Sequence, residues 1–331
     1  MRIYVKTAEI MSKTKPDKPA PPASPEVDLF GELVPVKPMP PTLARVVSTS
    51  VAMQADPPDR ADFLHAILCQ VGMPRKATEG RIFERTSGGA VMRLEAGAIF
   101  DGRQLVNRPL PYGTKPRLVM VHMSSEAVRT QCRQIHVGDS MKDFLIALGI
   151  DTSGGSHGGY TMFKKQMESL AACRLTLGLS AGGRAVTVNT QPISRFEAWL
   201  HPTGEQRALW PGTLELSQEF YDTLTAHAVP LDHRALAALK HSALALDVYS
   251  WLAHRLCRVR KVDGAKVSWD NLRDQFGQEY ADPKNFKKEF RQALRQALAV
   301  YPDANIEDVP GGFLLKPSKP PLARTQVSVI A

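Results

Sequence analysis

Apolar residues recur at helical spacing through most of the chain beyond residue 60, and short stretches of strict alternation interrupt them. "RADFLHAILCQVG" is predicted as a helix burying Phe63, Ile67 and Val71, with Gly72 as its stop. "RIFERTSGGAVMRLEAGAIF" alternates on either side of Gly88-Gly89 and predicts a β-hairpin. "TKPRLVMVHMSSEAVRT" reads as a buried helix. In "GDSMKDFLIALGI", Asp139 and Ser140 are candidate caps, and Ser140 with Asp143 forms a capping box. The glycine-rich "DTSGGSHGGY" then turns into the helix "TMFKKQMESLAACRL". Helix, glycine turn and helix make the outline of a helix-turn-helix. "RAVTVNT", "ISRFEAWLH" and "RALWPGTLEL" predict a small antiparallel sheet, the middle run being read as strand over helix.

The pattern then recurs. Helices are predicted at "SQEFYDTLTAH" and "HRALAALK", followed by a long one in "SALALDVYSWLAHRLCRVR", capped by Ser242. "SWDNLRDQFG" begins at Ser268 and stops at Gly277, and Asp282-Pro283 supplies an N-cap and a first-turn proline for the helix after it. "NIEDV", a Pro310-Gly311-Gly312 turn and "FLLK" close the series as a hairpin. Helix, helix-turn-helix and hairpin thus occur twice. The expected fold is α+β and mainly helical, with tandem winged-helix domains at 60–215 and 216–318 and a C-terminal tail at 319–331.

Residues 1–59 differ. The first sixty residues hold 11 of the 25 prolines, a density that disfavours helix, so a disordered tail is expected there. Its apolar island "EVDLFGELVPV" reads as a docking peptide anchored by Leu29 and Phe30.

Charge changes the picture most in "DPKNFKKEFRQALRQALAVYP". At 100° per residue, Lys284, Lys287, Lys288, Arg291 and Arg295 fall within an arc of about 100°, with Phe286, Phe290, Ala293, Leu294 and Ala297 on the opposite side. Like charges four residues apart cost a few tenths of a kcal/mol each, and bound phosphate would relieve them. Arginine can also clamp guanine O6 and N7. With Asn285 at its start, this helix is the candidate DNA-binding element, and Lys164 and Lys165 on the earlier helix are a second candidate. The net charge of +9 agrees with an anionic partner.

Other chemistries find little support. His65 with Cys69, and Cys132 with His136, stand four apart, but scattered His/Cys pairs make a poor ligand signature, so no metal is expected and buried free thiols are favoured. No G-x-x-x-x-G-K-[ST] loop, His-x-His pair near a tyrosine or paired acidic cluster occurs, so neither catalytic residues nor a cofactor is expected. No run approaches the ~20 apolar residues of a membrane span, and a cytoplasmic protein without membrane contact is expected.

The blocks "FLHAILCQVGMPRK", "LPYGTKPRLVMVHMSSEAVRT", "HVGDSMKDFLIALGI", "RALAALKHSALALDVYSWLAHRL" and "VSWDNLRDQFG…FKKEFRQALRQALAVYP" lie in order. Through them the chain resembles the RepA-type plasmid replication initiators of bacteria, over about residues 60 to 320. The resemblance implies binding of double-stranded origin repeats, opening of the adjacent duplex and recruitment of the host initiator and replicative helicase. It places DNA binding on Lys284, Lys287, Lys288, Arg291 and Arg295, with Lys164 and Lys165 as the lesser pair, and a monomer–dimer equilibrium is a separate expectation. "EVDLF" is similar to the sliding-clamp-binding peptides of replication proteins, with Glu26 where glutamine is usual. The alternative is a winged-helix transcriptional repressor, including one of its own gene.

Overall fold

The computed structural model describes residues 41–322 except 57, 139, 151, 153–158, 182 and 196–211. Along the chain, α1 (Pro41–Ala55) precedes β1 (Ala61–His65), α2 (Ala66–Gln70), β2 (Ile82–Ser87), β3 (Ala90–Glu95), β4 (Ala98–Phe100) and β5 (Leu105–Asn107). Next come α3 (Thr114–Thr130), β6 (Gln134–His136), α4 (Met141–Ala147), α5 (Gly159–Ala172), β7 (Arg174–Ala181), β8 (Arg184–Thr190), β9 (Ile193–Arg195) and β10 (Thr213–Leu216). Then follow α6 (Gln218–His227), β11 (Ala228–Asp232), α7 (His233–Leu239) and α8 (Ala243–Arg255). The chain continues through β12 (Ala265–Ser268), α9 (Trp269–Phe276), α10 (Pro283–Ala299), β13 (Ile306–Val309) and β14 (Gly312–Leu315).

Local chemistry sets many of these boundaries. The Ser140 hydroxyl accepts from the Asp143 amide at 3.1 Å and donates to its carboxylate at 2.6 Å, which starts α4. Ser242, Ser268 and Asp282 accept from Ala245, Asn271 and Lys284 amides at the starts of α8, α9 and α10. Pro283 occupies the first turn of α10, where no amide donor is needed.

Two three-stranded antiparallel sheets share one connectivity. In β6-β10-β9 and in β12-β14-β13, the strand before a helix pair lies at one edge and the last strand is central. The series α3, β6, α4, α5, β9, β10 therefore matches α8, β12, α9, α10, β13, β14, apart from β7 and β8 in the first copy. Those two strands join β2 and β3 in a four-stranded sheet of order β2-β3-β7-β8.

One continuous apolar core runs through both copies, from Leu68 and Phe144 to Phe290 and Leu315. A buried ionic group ties the halves together. Arg117 donates to both carboxylate oxygens of Asp247 at 2.7 and 2.8 Å, and Arg75 pairs with Glu279 at 2.8 Å. The Gln275 amide also donates to the Gln70 carbonyl at 2.6 Å.

Several expectations are corrected. Residues 41–55, assigned to an unstructured tail, form α1, and Val46 is fully buried; α1 packs on α7 and α10. Proline is absent from 42 to 56, and Pro41 sits at the helix start, where it is tolerated. The expected helix from Ala61 is strand to His65, because all five residues are buried and pair with β11. Gly72 does not cap α2; Val71 does. The sheet expected from 184 onward is divided, since β8 pairs with β7 while β9 and β10 pair with each other. Arg174 and Leu175, read as helix, begin β7, whose Leu175 and Leu177 alternate into the core. The tail expected from 319 is anchored: the Tyr301 hydroxyl donates to the Lys319 carbonyl, and Leu322 is buried with Ala61 and Phe63.

Candidate nucleic-acid interface

α10 is amphipathic in the way its spacing predicts. Phe286, Phe290, Ala293, Leu294 and Ala297 are buried, while Lys284, Asn285, Lys287, Lys288, Arg291 and Arg295 are all exposed. Trp269, the first residue of α9, seals the junction between helix and hairpin. Its ring meets Phe286, Phe290 and Phe313 edge-on at 6.4, 6.0 and 5.1 Å between centroids.

The same indole organises the cations. The Lys287 ammonium stands 5.4 Å from its centroid, and the Arg291 guanidinium 5.2 Å from it and 5.6 Å from that of Phe313. Arg291 is also ion-paired with Asp308 on β13. Arg295 turns back along the helix, its Nε donating to the Arg291 carbonyl at 3.3 Å. Lys284, Lys287 and Lys288 have no acidic partner among the described residues. The Trp269 amide donates to the Gly311 carbonyl at 3.0 Å, which fastens the hairpin turn beside this surface. Gly311 has a φ of 86°, and a Cβ on Gly312 would lie 2.0 Å from the Val267 carbonyl oxygen, so both glycines serve this turn.

The second candidate helix differs. Lys165 is exposed on α5, but Lys164 is half-buried and lies 4.0 Å from Glu168, which also pairs with Arg108 at 2.9 Å. The glycine turn before α5 is outside the described residues from 153 to 158, and so are Leu29 and Phe30. Structure and sequence thus bring Lys284 to Arg295 onto one surface, while Lys164 is neutralised locally.

Neither His/Cys pair gathers into a site. Among the described residues no cluster of three His, Cys, Asp or Glu side chains could hold a metal. His65 accepts from the Ile67 amide at 3.1 Å as the cap of α2. Cys69 and Cys173 are buried, and burial pushes the Cys173 thiol up to about 12, whereas Cys132 and Cys257 are exposed. The expectation of buried thiols thus holds for two of the four cysteines.

Residues 110–271 match the plasmid encoded RepA protein family. Over those residues, 162 of the chain's 331, it is similar to that family. The matched region runs from just before α3 into α9, so it contains the first helix pair and stops short of α10. That similarity implies a plasmid replication protein that binds plasmid DNA, and the initiators of that family are generally non-catalytic. No curated protein and no solved structure matches the chain. No helix among the described residues is long and apolar enough to cross a membrane.

Sequence reasoning missed Trp269, Phe313 and Asp308 as parts of this surface. Trp269 and Phe313 had a signal, being apolar residues beside a cap and a hairpin turn. Asp308 had none, because its partner is 17 residues away and the pairing depends on how β13 lies against α10.

Proposed function

We propose that this protein initiates plasmid replication by binding repeated sequences in its origin as a tandem winged-helix protein. α10 reads bases in the major groove, and the β13–β14 hairpin grips the backbone beside it. Arg295 and Arg291 are the base-reading candidates. Lys284, Lys287 and Lys288 contact phosphates, and Asn285 contacts the duplex at the helix start. α5 is a weaker second contact through Lys165. The reading extends to opening of the adjacent duplex and recruitment of the host initiator and helicase, with Leu29 and Phe30 docking the sliding clamp.

The observation that carries this reading is the exposed basic arc of α10, laid on an aromatic seat and flanked by the hairpin. Like charges on one helix face cost free energy in the isolated protein, and among the described residues only Arg291 has a counter-charge there. Footprinting on the DNA flanking the gene is the test. Protection of a repeat array is the expected result. Protection of a promoter operator alone would make the protein a repressor, and no protected site would end the DNA reading.

A further inference from the structure

A second concentration of cations lies off α10. Arg255 ends α8, and Arg258, Arg260 and Lys261 follow in the connection to β12, which itself carries Lys266; all five are exposed. Asp263 is the one acidic residue between 255 and 266. None of the five has an acidic partner among the described residues. Arg93, Arg108, Arg133 and Arg234, by contrast, each pair with a carboxylate.

The connection is built rather than loose. Leu256 and Val259 are buried and pin it to the core. The Gly264 amide donates to the Lys261 carbonyl at 3.0 Å, closing a turn in which Gly264 adopts a φ of 86°. A Cβ there would stand 2.7 Å from the Leu315 carbonyl oxygen, so the turn is seated against the end of β14. Five cations within twelve residues of chain repel one another in the free protein. The neighbouring His254 imidazole reports the same field, since burial and then Arg258 and Arg255 depress it to about 4.

We propose that the α8–β12 connection is a second contact for DNA backbone phosphates, distinct from α10 and indifferent to base sequence. The proposal rests on the reading of the protein as a duplex-DNA binder. α8 packs directly on α10, and β12 belongs to the sheet that carries the hairpin, so the connection borders both parts of the candidate interface. Phosphate is the chemistry that fits. Five exposed cations and one acid within a short stretch of chain complement a run of anions, and each neutralised phosphate adds to the salt dependence of binding.

The test uses the full chain and a triple variant, Arg258→Gln, Arg260→Gln and Lys261→Gln, titrated on a repeat-bearing and a scrambled duplex across a salt series. The expected result is weaker binding to both duplexes, an unchanged specificity ratio and a salt slope lower by about two to three units, at ~0.9 per lost phosphate. The charge-conserving triple (Arg258→Lys, Arg260→Lys, Lys261→Arg) should bind like the parent. Melting curves of both variants should match the parent, because these side chains are exposed. Unchanged affinity and slope in the glutamine variant overturn the proposal while leaving α10 intact as the reader, provided Arg295→Ala still loses the repeat. A changed specificity ratio also overturns it. So does loss of binding to anionic phosphatidylglycerol vesicles with DNA binding unaltered, which would assign the patch to a lipid surface. If the parent binds no duplex at all, the functional reading itself fails.

Discussion

Arg291 on α10 and Asp308 on β13 form an ion pair that joins the candidate recognition helix to its hairpin. Both side chains are about half-exposed, so the pair contributes little to stability, about 0–1 kcal/mol. Its larger effect is electrostatic, because it places a carboxylate inside the basic surface. Asp308→Asn should raise affinity for every duplex several-fold and leave the melting temperature nearly unchanged. Binding isotherms at two salt concentrations, with a thermal melt, check both halves of the expectation.

The free cations of α10 should divide by role. Arg295→Ala should cost about 1–3 kcal/mol on the specific site if this arginine reads guanine, with less loss on scrambled DNA. Lys284→Ala should weaken binding to all sequences alike and lower the salt slope by about one unit. If both variants bind both duplexes as the parent does, the arc is a solvated face.

The Arg117–Asp247 pair is a different kind of contact. Both side chains are buried, and Arg117 also donates to the Pro74 and Gly113 carbonyls at 3.0 and 2.6 Å. Removing one partner strands a charge, so Asp247→Ala should destabilise by about 3–5 kcal/mol. Gly72→Ala should destabilise as well, since its Cβ would stand 2.4 Å from the Asp247 carboxylate. Urea denaturation of the two variants measures both.

Acid should weaken the fold through buried imidazoles. His65, His122 and His254 are each held near 4, first by burial. In the unfolded chain they titrate near the ordinary value of about 6.5. Between those limits the unfolded state binds more protons, so stability is full above about pH 7 and falls as pH drops through 6.5 toward 4. His65→Gln should shallow that decline, because a neutral side chain stays uncharged there. Urea midpoints measured from pH 7.5 to 4.5 give the slope.

α1 lies within the stretch that proline density marked as unstructured, yet it covers α7 and α10. A chain beginning at residue 56 should therefore melt several degrees below one beginning at residue 41. Equal melting temperatures would make α1 dispensable.

Local chemistry made the second helix pair legible in the sequence. A cap is read from two or three neighbours, and an amphipathic face from four turns, so Ser268, Asp282, Pro283 and the basic arc of α10 all sit where their spacing puts them. The hairpin at Pro310-Gly311 and the helix beginning at Thr114 were equally local. What needed the tertiary structure was whatever depends on distant partners. Residues 61–65 carry helical spacing, but burial on both faces against β11 makes them a strand. β7 ends a helical run and becomes a strand because β3 and β8 offer it two edges. The same holds at the interface: the sequence determined which α10 side chains face outward, and packing of β13 and Trp269 decided that Arg291 is held by Asp308 while Lys284, Lys287 and Lys288 meet no carboxylate among the described residues. Periodicity can orient a helix face because that depends on neighbours in the chain, whereas a counter-charge 17 residues away arrives only when the chain folds back.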